Sequence, residues 1–372
     1  MSDNLIEMVN FREESRYIKE ELQQSIKKVI DSGRYILGEE VQKFEQEFAK
    51  YIGTKYAIGV NSGTDALLTS LMALSIKPGD EVITVSHTTT PTVLPIITLG
   101  ALPVFIDICS DTYTMDSSQI EKKITKKTKA IIPVHLYGNP VDMEPIIEIA
   151  KKYGIHVIED ACQAHGAEYK GKKVGTFGVL SAFSFYPTKN LGGYGDGGII
   201  LTNDYRLQEK AVMLRQYGWK KRYSSRIPGI NSRLDEIQAA ILRVKLKYLD
   251  EWNTRRIKTA EHYKKLLKNK NIILPQQQKY SKHVYHQFVI RHKKRDQLQK
   301  YLLDNDIQTQ IHYPIPVHKQ KTFTDLGIKT RMPVTEKICT EILSLPIHPW
   351  LKEEEIKHIA KFVINYSGKI QC

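Results

Sequence analysis

Asp160 and Gln163 stand in HVIEDACQAHG at the end of one apolar run, and Lys189 stands just past another in SAFSFYPTKNLGGYGDGG. A carboxylate against the nitrogen of a pyridine ring keeps that ring protonated, and a lysine amine forms an imine with an aldehyde carried on it. The three residue types therefore suit pyridoxal 5'-phosphate, whose ring accepts the electrons of a carbanion. Taken singly they say little. A strand-end aspartate is often a cap or an ion-pair partner, and a single lysine is usually a solvated surface group. Lys189, however, follows LSAFSF and precedes a glycine-dense turn, an odd setting for a solvated lysine.

A phosphate needs its own cradle. NSGTDALL follows the apolar run YAIGV and opens a helix, so Ser62, Gly63 and Thr64 bring backbone N–H groups and two hydroxyls to a helix N-terminus. The competing reading is a plain N-cap, for which Ser and Thr are favoured anyway. Ser184 lies one strand repeat before Tyr186 and offers a further hydroxyl on the same face. GGYGDGG contains a literal GxGxxG, but it precedes a strand instead of opening a helix. It fails the dinucleotide context test and reads as a turn with close backbone approach.

These residues need a scaffold. YAIGV, EVITVS, LPVFIDI, KAIIPVHLY, IHVIED, LSAFSF and GGIILTN read as strands, with helical stretches between several of them. Nearly continuous Val/Ile runs separated by helices indicate an α/β fold, a mostly parallel central sheet covered on both faces. Such sheets bind ligands at the carboxyl ends of their strands. Asn61, His87, His135, Asp160 and Tyr186 all fall at or just past such ends, which predicts one shared cleft. Residues 233–268 read as one long helix, and two N-terminal helices are expected to stop at Gly33 and Gly53. After Pro275 the texture changes to a strand (VYHQFVIRH), a helix (RDQLQKYLLDND), a strand (IQTQIHYP) and a closing helix (EEEIKHIAKFVINY). The expected division is a large domain over 1–245 and a smaller C-terminal α+β domain over 246–372.

Composition narrows the alternatives. The 372 residues can form a real core, and 41% hydrophobic with 26% charged residues is ordinary for a soluble globular chain. The longest apolar stretch, TVLPIITLGALPVFIDI, is broken by two prolines, a glycine and an aspartate, which argues against a membrane span. The polar N-terminus does not resemble a signal peptide. Cys109, Cys162, Cys339 and Cys372 are scattered without a CxxC pair, which fits a reducing cytoplasm and no zinc ribbon. HVYH at 283–286 does not suggest a metal either, because strand spacing would put its histidines on opposite faces. The formal charge of +14 is spread along helices and lacks a nucleic-acid reader motif. A basic surface that attracts an anionic metabolite is the better use of it.

At this point the ordered blocks carry a resemblance. RYILGEEVQKFEQEFAKYIG, VNSGTDALL, PGDEVITVSHT, PVHLYGNPVDM, VIEDACQAHGA, SFYPTKNLG, GDGGIILTND, NSRLDEIQAAIL and IHYPIPVHKQ run nearly end to end. The chain resembles the sugar aminotransferases of the DegT/DnrJ/EryC1/StrS family, with the aspartate aminotransferase-like fold type I. The resemblance implies that Lys189 holds the cofactor and moves the substrate proton. Asp160 would pair with the ring nitrogen and Gln163 would contact the ring hydroxyl. Gly63, Thr64 and Ser184 would hold the phosphate, joined by Asn231 from a second subunit, which makes a homodimer part of the site. Many members carry an aromatic residue where this chain has Thr89, so His87 is expected to cover the ring face. Tyr186, His312, Tyr313 and His318 are expected on the substrate side. The implied reaction moves an amine from L-glutamate to a nucleotide-linked keto-deoxysugar. The SHT and LRQYGW segments resemble members that act on C3 of a dTDP-3-keto-6-deoxyhexose, with a 4-keto sugar as the alternative.

Overall fold

A computed structural model describes residues 5–268 and 271–368; Cys372 lies outside them. Seven strands form the central sheet: β1 (Tyr56–Val60), β2 (Glu81–Val85), β3 (Leu102–Ile106), β4 (Thr128–Ile131), β5 (His156–Asp160), β6 (Leu180–Ser184) and β7 (Gly198–Thr202). Their spatial order is β1-β7-β6-β5-β4-β2-β3. All neighbours run parallel except β7, which is antiparallel to both β1 and β6. Each of the seven apolar runs named from the sequence thus supplies one strand. β6 and β7 are buried along their whole length, which explains why they read as unbroken apolar runs and not as alternating ones.

Helices α1 (Phe11–Tyr17), α2 (Lys19–Ser32) and α3 (Glu39–Ile52) precede the sheet. Gly33 and Gly53 end α2 and α3 with φ of 63° and 97°, the left-handed conformation that lets a glycine stop a helix. Between strands lie α4 (Gly63–Ala73), α5 (Thr90–Thr98) and α6 (Met143–Tyr153), and α7 (Tyr205–Leu214) follows β7.

The single helix expected over 233–268 is two, α8 (Glu236–Leu246) and α9 (Leu249–Leu267). The chain turns at Lys247–Tyr248, where Tyr248 stacks on Trp252 and its hydroxyl donates to Glu21. Periodicity could not show the turn, because both halves keep their apolar spacing. The turn lets α8 pack on α2 and α3 while α9 packs on the closing helix α13 (Glu353–Gly368).

The C-terminal segment also holds β8 (Phe288–Arg291), α10 (Arg295–Leu303), α11 (Lys321–Asp325), α12 (Pro333–Glu341) and β9 (Ile342–Leu345). β8 and β9 pair antiparallel. The stretch expected as the strand IQTQIHYP makes only isolated bridges, Ile307 to Ile6 and Gln310 to Ser344. Its hydrophobic cluster gathers residues of α9, α10, α13 and both strands, and also takes in Ile6 from the N-terminus. Among the described residues no helix is long and apolar enough to cross a membrane.

Candidate active site

A cleft of about 430 Å³ opens at the carboxyl ends of β5 and β6. Asp160, Lys189, Ser184 and the Ser62–Thr64 turn all line it. Tyr186, His312 and Tyr313 stand on its other walls. A larger hollow of about 640 Å³ lies against α2, α3 and α8, but its Arg243 is already paired with Glu40 and Glu47 at 2.6 Å. The smaller cleft is the one that gathers unpaired chemistry.

The wall at α4 is an anion cradle. Ser62 caps the helix, its Oγ accepting from the Asp65 N–H at 3.0 Å, so the plain-cap reading holds for that hydroxyl. The amides of Gly63 and Thr64 begin the first turn beyond it, where the helix dipole favours a negative group. Gly63 is required sterically: a Cβ there would lie 2.7 Å from Ser184 Cβ and 2.8 Å from Cys162 Sγ. The glycine-dense turn after Lys189 works similarly, since a Cβ on Gly198 would sit 2.2 Å from the Ser62 carbonyl oxygen. Ser184 Oγ accepts from the Tyr186 N–H at 3.3 Å, and its own proton is left to donate.

Asp160 closes β5 with its carboxylate buried. Oδ2 accepts from Thr92 Oγ1 at 2.7 Å, and Oδ1 accepts from the Cys162 N–H at 3.1 Å. Thr88 Oγ1 lies 2.8 Å from Thr92 Oγ1; because Thr92 gives its proton to Asp160, Thr88 must be the donor in that pair. Two bonds leave the carboxylate with free lone pairs on the cleft side. Lys189 is half-buried; desolvation lowers its amine's pKa, and only in part do Cys162 and Asp160 pull it back up.

Tyr313 is pushed up to about 12, chiefly by burial, and its hydroxyl accepts from Gln163 Nε2 at 3.0 Å. Gln163 Oε1 takes the Tyr137 N–H at 2.7 Å. Gln163 is therefore committed at both ends and does not line the cleft; it sets Tyr313 in place. His312 bonds Ser344 Oγ through Nδ1 at 2.8 Å, and burial followed by the nearby Lys189 takes its pKa down to about 4.

Several expected positions fall elsewhere. His87 is buried behind the cleft, bonded to the Tyr137 hydroxyl at 2.9 Å, and burial lowers its pKa to about 4. The wall expected of it is made by Thr89, Pro91 and Tyr313. His318 is also outside the lining: its ring ties Ser86, at 2.6 Å, to Glu336, at 3.1 Å. His135 belongs to the opposite side of β5, bonded to Glu159, and Asn61 pairs with Ser232. The shared cleft thus keeps Asp160 and Tyr186 but not Asn61, His87 or His135. A strand end fixes how far along the sheet a residue lies, not which way its side chain turns. Asn231 is exposed on this chain and lies outside its cleft, paired through its backbone with Gln216.

His286 is the residue that the sequence reading passed over. HVYH precedes β8 instead of lying in it, so the opposite-face rule does not apply. His283 stacks on Tyr285, with ring centroids 3.8 Å apart, while His286 turns into the cleft. Among the described residues no group of three His, Cys, Asp or Glu side chains could hold a metal ion.

The comparisons with known proteins agree with this geometry. The DegT/DnrJ/EryC1/StrS aminotransferase family model matches residues 16–364. The chain is 48% identical over 362 residues to the dTDP-3-amino-3,6-dideoxy-alpha-D-galactopyranose transaminase of Aneurinibacillus thermoaerophilus, covering 97% of this chain and 99% of that one. It is 45% identical over 365 residues to the pleiotropic regulatory protein of Geobacillus stearothermophilus, covering 97% and 98%. Among solved structures, S. venezuelae DesV in complex with a ketimine intermediate superposes with a TM-score of 0.95 at 42% identity, covering 98% of each chain. The chain belongs to the DegT/DnrJ/EryC1/StrS aminotransferase family, with the fold type I architecture of that family's solved members.

Proposed function

We propose that this protein is a pyridoxal 5'-phosphate enzyme that moves an amine from L-glutamate to C3 of a nucleotide-linked keto-deoxysugar, a dTDP-3-keto-6-deoxyhexose. The observation that carries the reading is one cleft with an anion cradle at one wall, an under-used carboxylate in its depth and a desolvated amine beside both. That donor set fits the cofactor: Gly63 leaves room where a Cβ would fill the cradle, and Asp160 keeps lone pairs for a protonated ring nitrogen. Bound pyridoxal phosphate supplies the electron sink that lets the proton beside the transferred amine leave.

The chain's own residues do the rest. Gly63 and Thr64 amides and the Ser184 hydroxyl hold the phosphate. Thr92 and the Cys162 N–H aim the Asp160 carboxylate, and Thr88 fixes the direction of that relay. Lys189 anchors the cofactor and then takes and returns the substrate proton. Burial favours its neutral form, which a base near neutral pH requires. Tyr186, more than half exposed at the rim, together with His312 and Tyr313, meets the sugar nucleotide. Asn231, exposed and away from its own cleft, serves the cleft of a second copy, so the working form is a homodimer. Free Cys109, Cys162 and Cys339 suit a cytoplasmic setting.

The amino-sugar transaminase similarity supports C3 transfer. Regulatory behaviour is printed for one relative, but the intact Lys189–Asp160 pair favours catalysis here. The test is to supply the purified protein with pyridoxal phosphate, L-glutamate and either the 3-keto or the 4-keto dTDP-sugar. Formation of the 3-amino sugar is expected. Product from the 4-keto sugar alone rejects the assignment of position, and no product from either rejects the reading.

A further inference from the structure

His286 and Arg256 have no part in the roles given above, and both are nine-tenths or more buried. His286 lines the cleft beside Lys189, Gln287 and His312, yet its Nδ1 is sealed from solvent without a hydrogen-bond partner. With Nδ1 sealed, Nε2 is the nitrogen left to serve a ligand. Arg256, on α9, gives one N–H to the Ile347 carbonyl at 2.7 Å. Its nearest acidic influence is Glu14, but that carboxylate pairs with Lys245 at 2.5 Å. Arg256 is thus a buried cation with no counterion of its own, a costly state that an incoming anion would relieve.

We propose that His286, backed by the positive field of Arg256, binds a carboxylate of the amino-donor substrate. The inference rests on the aminotransferase reading above and names the group that recognises the donor. A neutral imidazole with its proton on Nε2 donates to a carboxylate oxygen, and its Nδ1 lone pair is then the atom facing positive charge. The charged groups that act on His286 are Lys189 and Arg256, both cationic, and together with burial they hold the ring neutral. An amino-acid carboxylate would offset both cations. A sugar hydroxyl would satisfy Nε2 but leave Arg256 uncompensated, which is why the donor is favoured over the acceptor. A neutral donor also suits a site that must release the first product and admit an uncharged sugar ring, because it does not demand an anion as strongly as a bare cation would.

The test uses holoenzyme loaded with pyridoxal phosphate. The half-reaction with L-glutamate is followed by visible absorption, and the return half-reaction is run with the keto-sugar nucleotide. In His286→Phe the glutamate concentration at half saturation should rise about tenfold or more, as expected for one lost charge-assisted bond. The value for the sugar nucleotide should stay within about twofold, because only the donor meets this pair. His286→Gln keeps an N–H donor and should recover most of the loss, and it carries the test if the Phe variant folds poorly. Unchanged glutamate saturation in both variants, or a loss falling on the sugar instead, overturns the proposal. A wild-type enzyme that fails to react with glutamate at all would instead overturn the functional reading.

Discussion

Glu159 and Asp160 are adjacent, both buried and both carboxylates, yet they face opposite sides of β5 and live different lives. Glu159 is saturated. Its Oε1 accepts from the Phe177 and Gly178 amides at 2.7 and 2.8 Å, and its Oε2 accepts from Gly175 at 2.7 Å and lies 3.1 Å from His135 Nε2. Asp160 has one hydroxyl and one amide, then open cleft. The same contrast separates two lysines. Lys245 is buried against Glu14 and the Gly192 carbonyl, whereas Lys189 points its desolvated amine into the cleft. Burial of a charge is therefore not the mark of function in this fold. Incomplete satisfaction beside a cavity is.

The largest expected effect separates the lysines. Lys189→Ala should cut turnover by about 10³-fold or more while the melting temperature is held, as loss of an acid–base group predicts. Lys245→Met should keep most activity and lose about 3 kcal/mol of stability, because Glu14 is left buried without its partner. Measuring kcat and urea unfolding on both variants decides it; an active Lys189→Ala enzyme would break the comparison.

The carboxylates come next. Glu159→Gln should cost about 3 kcal/mol, since the amide turns an N–H toward backbone donors that a carboxylate had satisfied. Asp160→Asn should leave stability within about 1 kcal/mol but weaken the spectroscopically titrated cofactor and slow turnover. If the Asn variant unfolds and the Gln variant does not, the two faces have been misread.

Gly63→Ala should cost about 2 kcal/mol through crowding against Ser184 and Cys162, and should loosen the phosphate cradle with it. Cofactor affinity and melting temperature should fall together. The smallest effect is in acid. His87 and His312 fall from an ordinary 6.5 to about 4, so the folded state binds their protons less readily than the unfolded chain. Their contribution to stability is whole above pH 6.5 and is lost as pH falls toward 4. His312→Gln should flatten that part of the stability–pH curve, and an unchanged slope would show that His312 is not the group responsible.

Much of the fold was legible because a buried parallel sheet leaves a direct trace: each strand is an unbroken apolar run, and Gly33 and Gly53 punctuate the helices before it. Lys189, Asp160, Ser184 and the Ser62–Thr64 turn were legible for a related reason. Each is tied to the end of a recognisable element, and the sheet brings those ends together. The misplacements of His87, His318 and His135 have a common cause. Loop histidines can turn either into a cavity or into a wall, and the choice depends on partners such as Tyr137, Glu336 and Glu159, which lie far along the chain.

The amino-acid order alone determined the α/β class, the strand set, the glycine stops and the lysine–aspartate pair, since local periodicity and backbone preference encode each of them. Tertiary packing decided which carboxylate keeps free lone pairs, that Gln163 is spent on Tyr137 and Tyr313, and that His286 reaches the cleft. Those outcomes depend on which distant donors and acceptors arrive at one point, and that convergence has no period for a sequence to display.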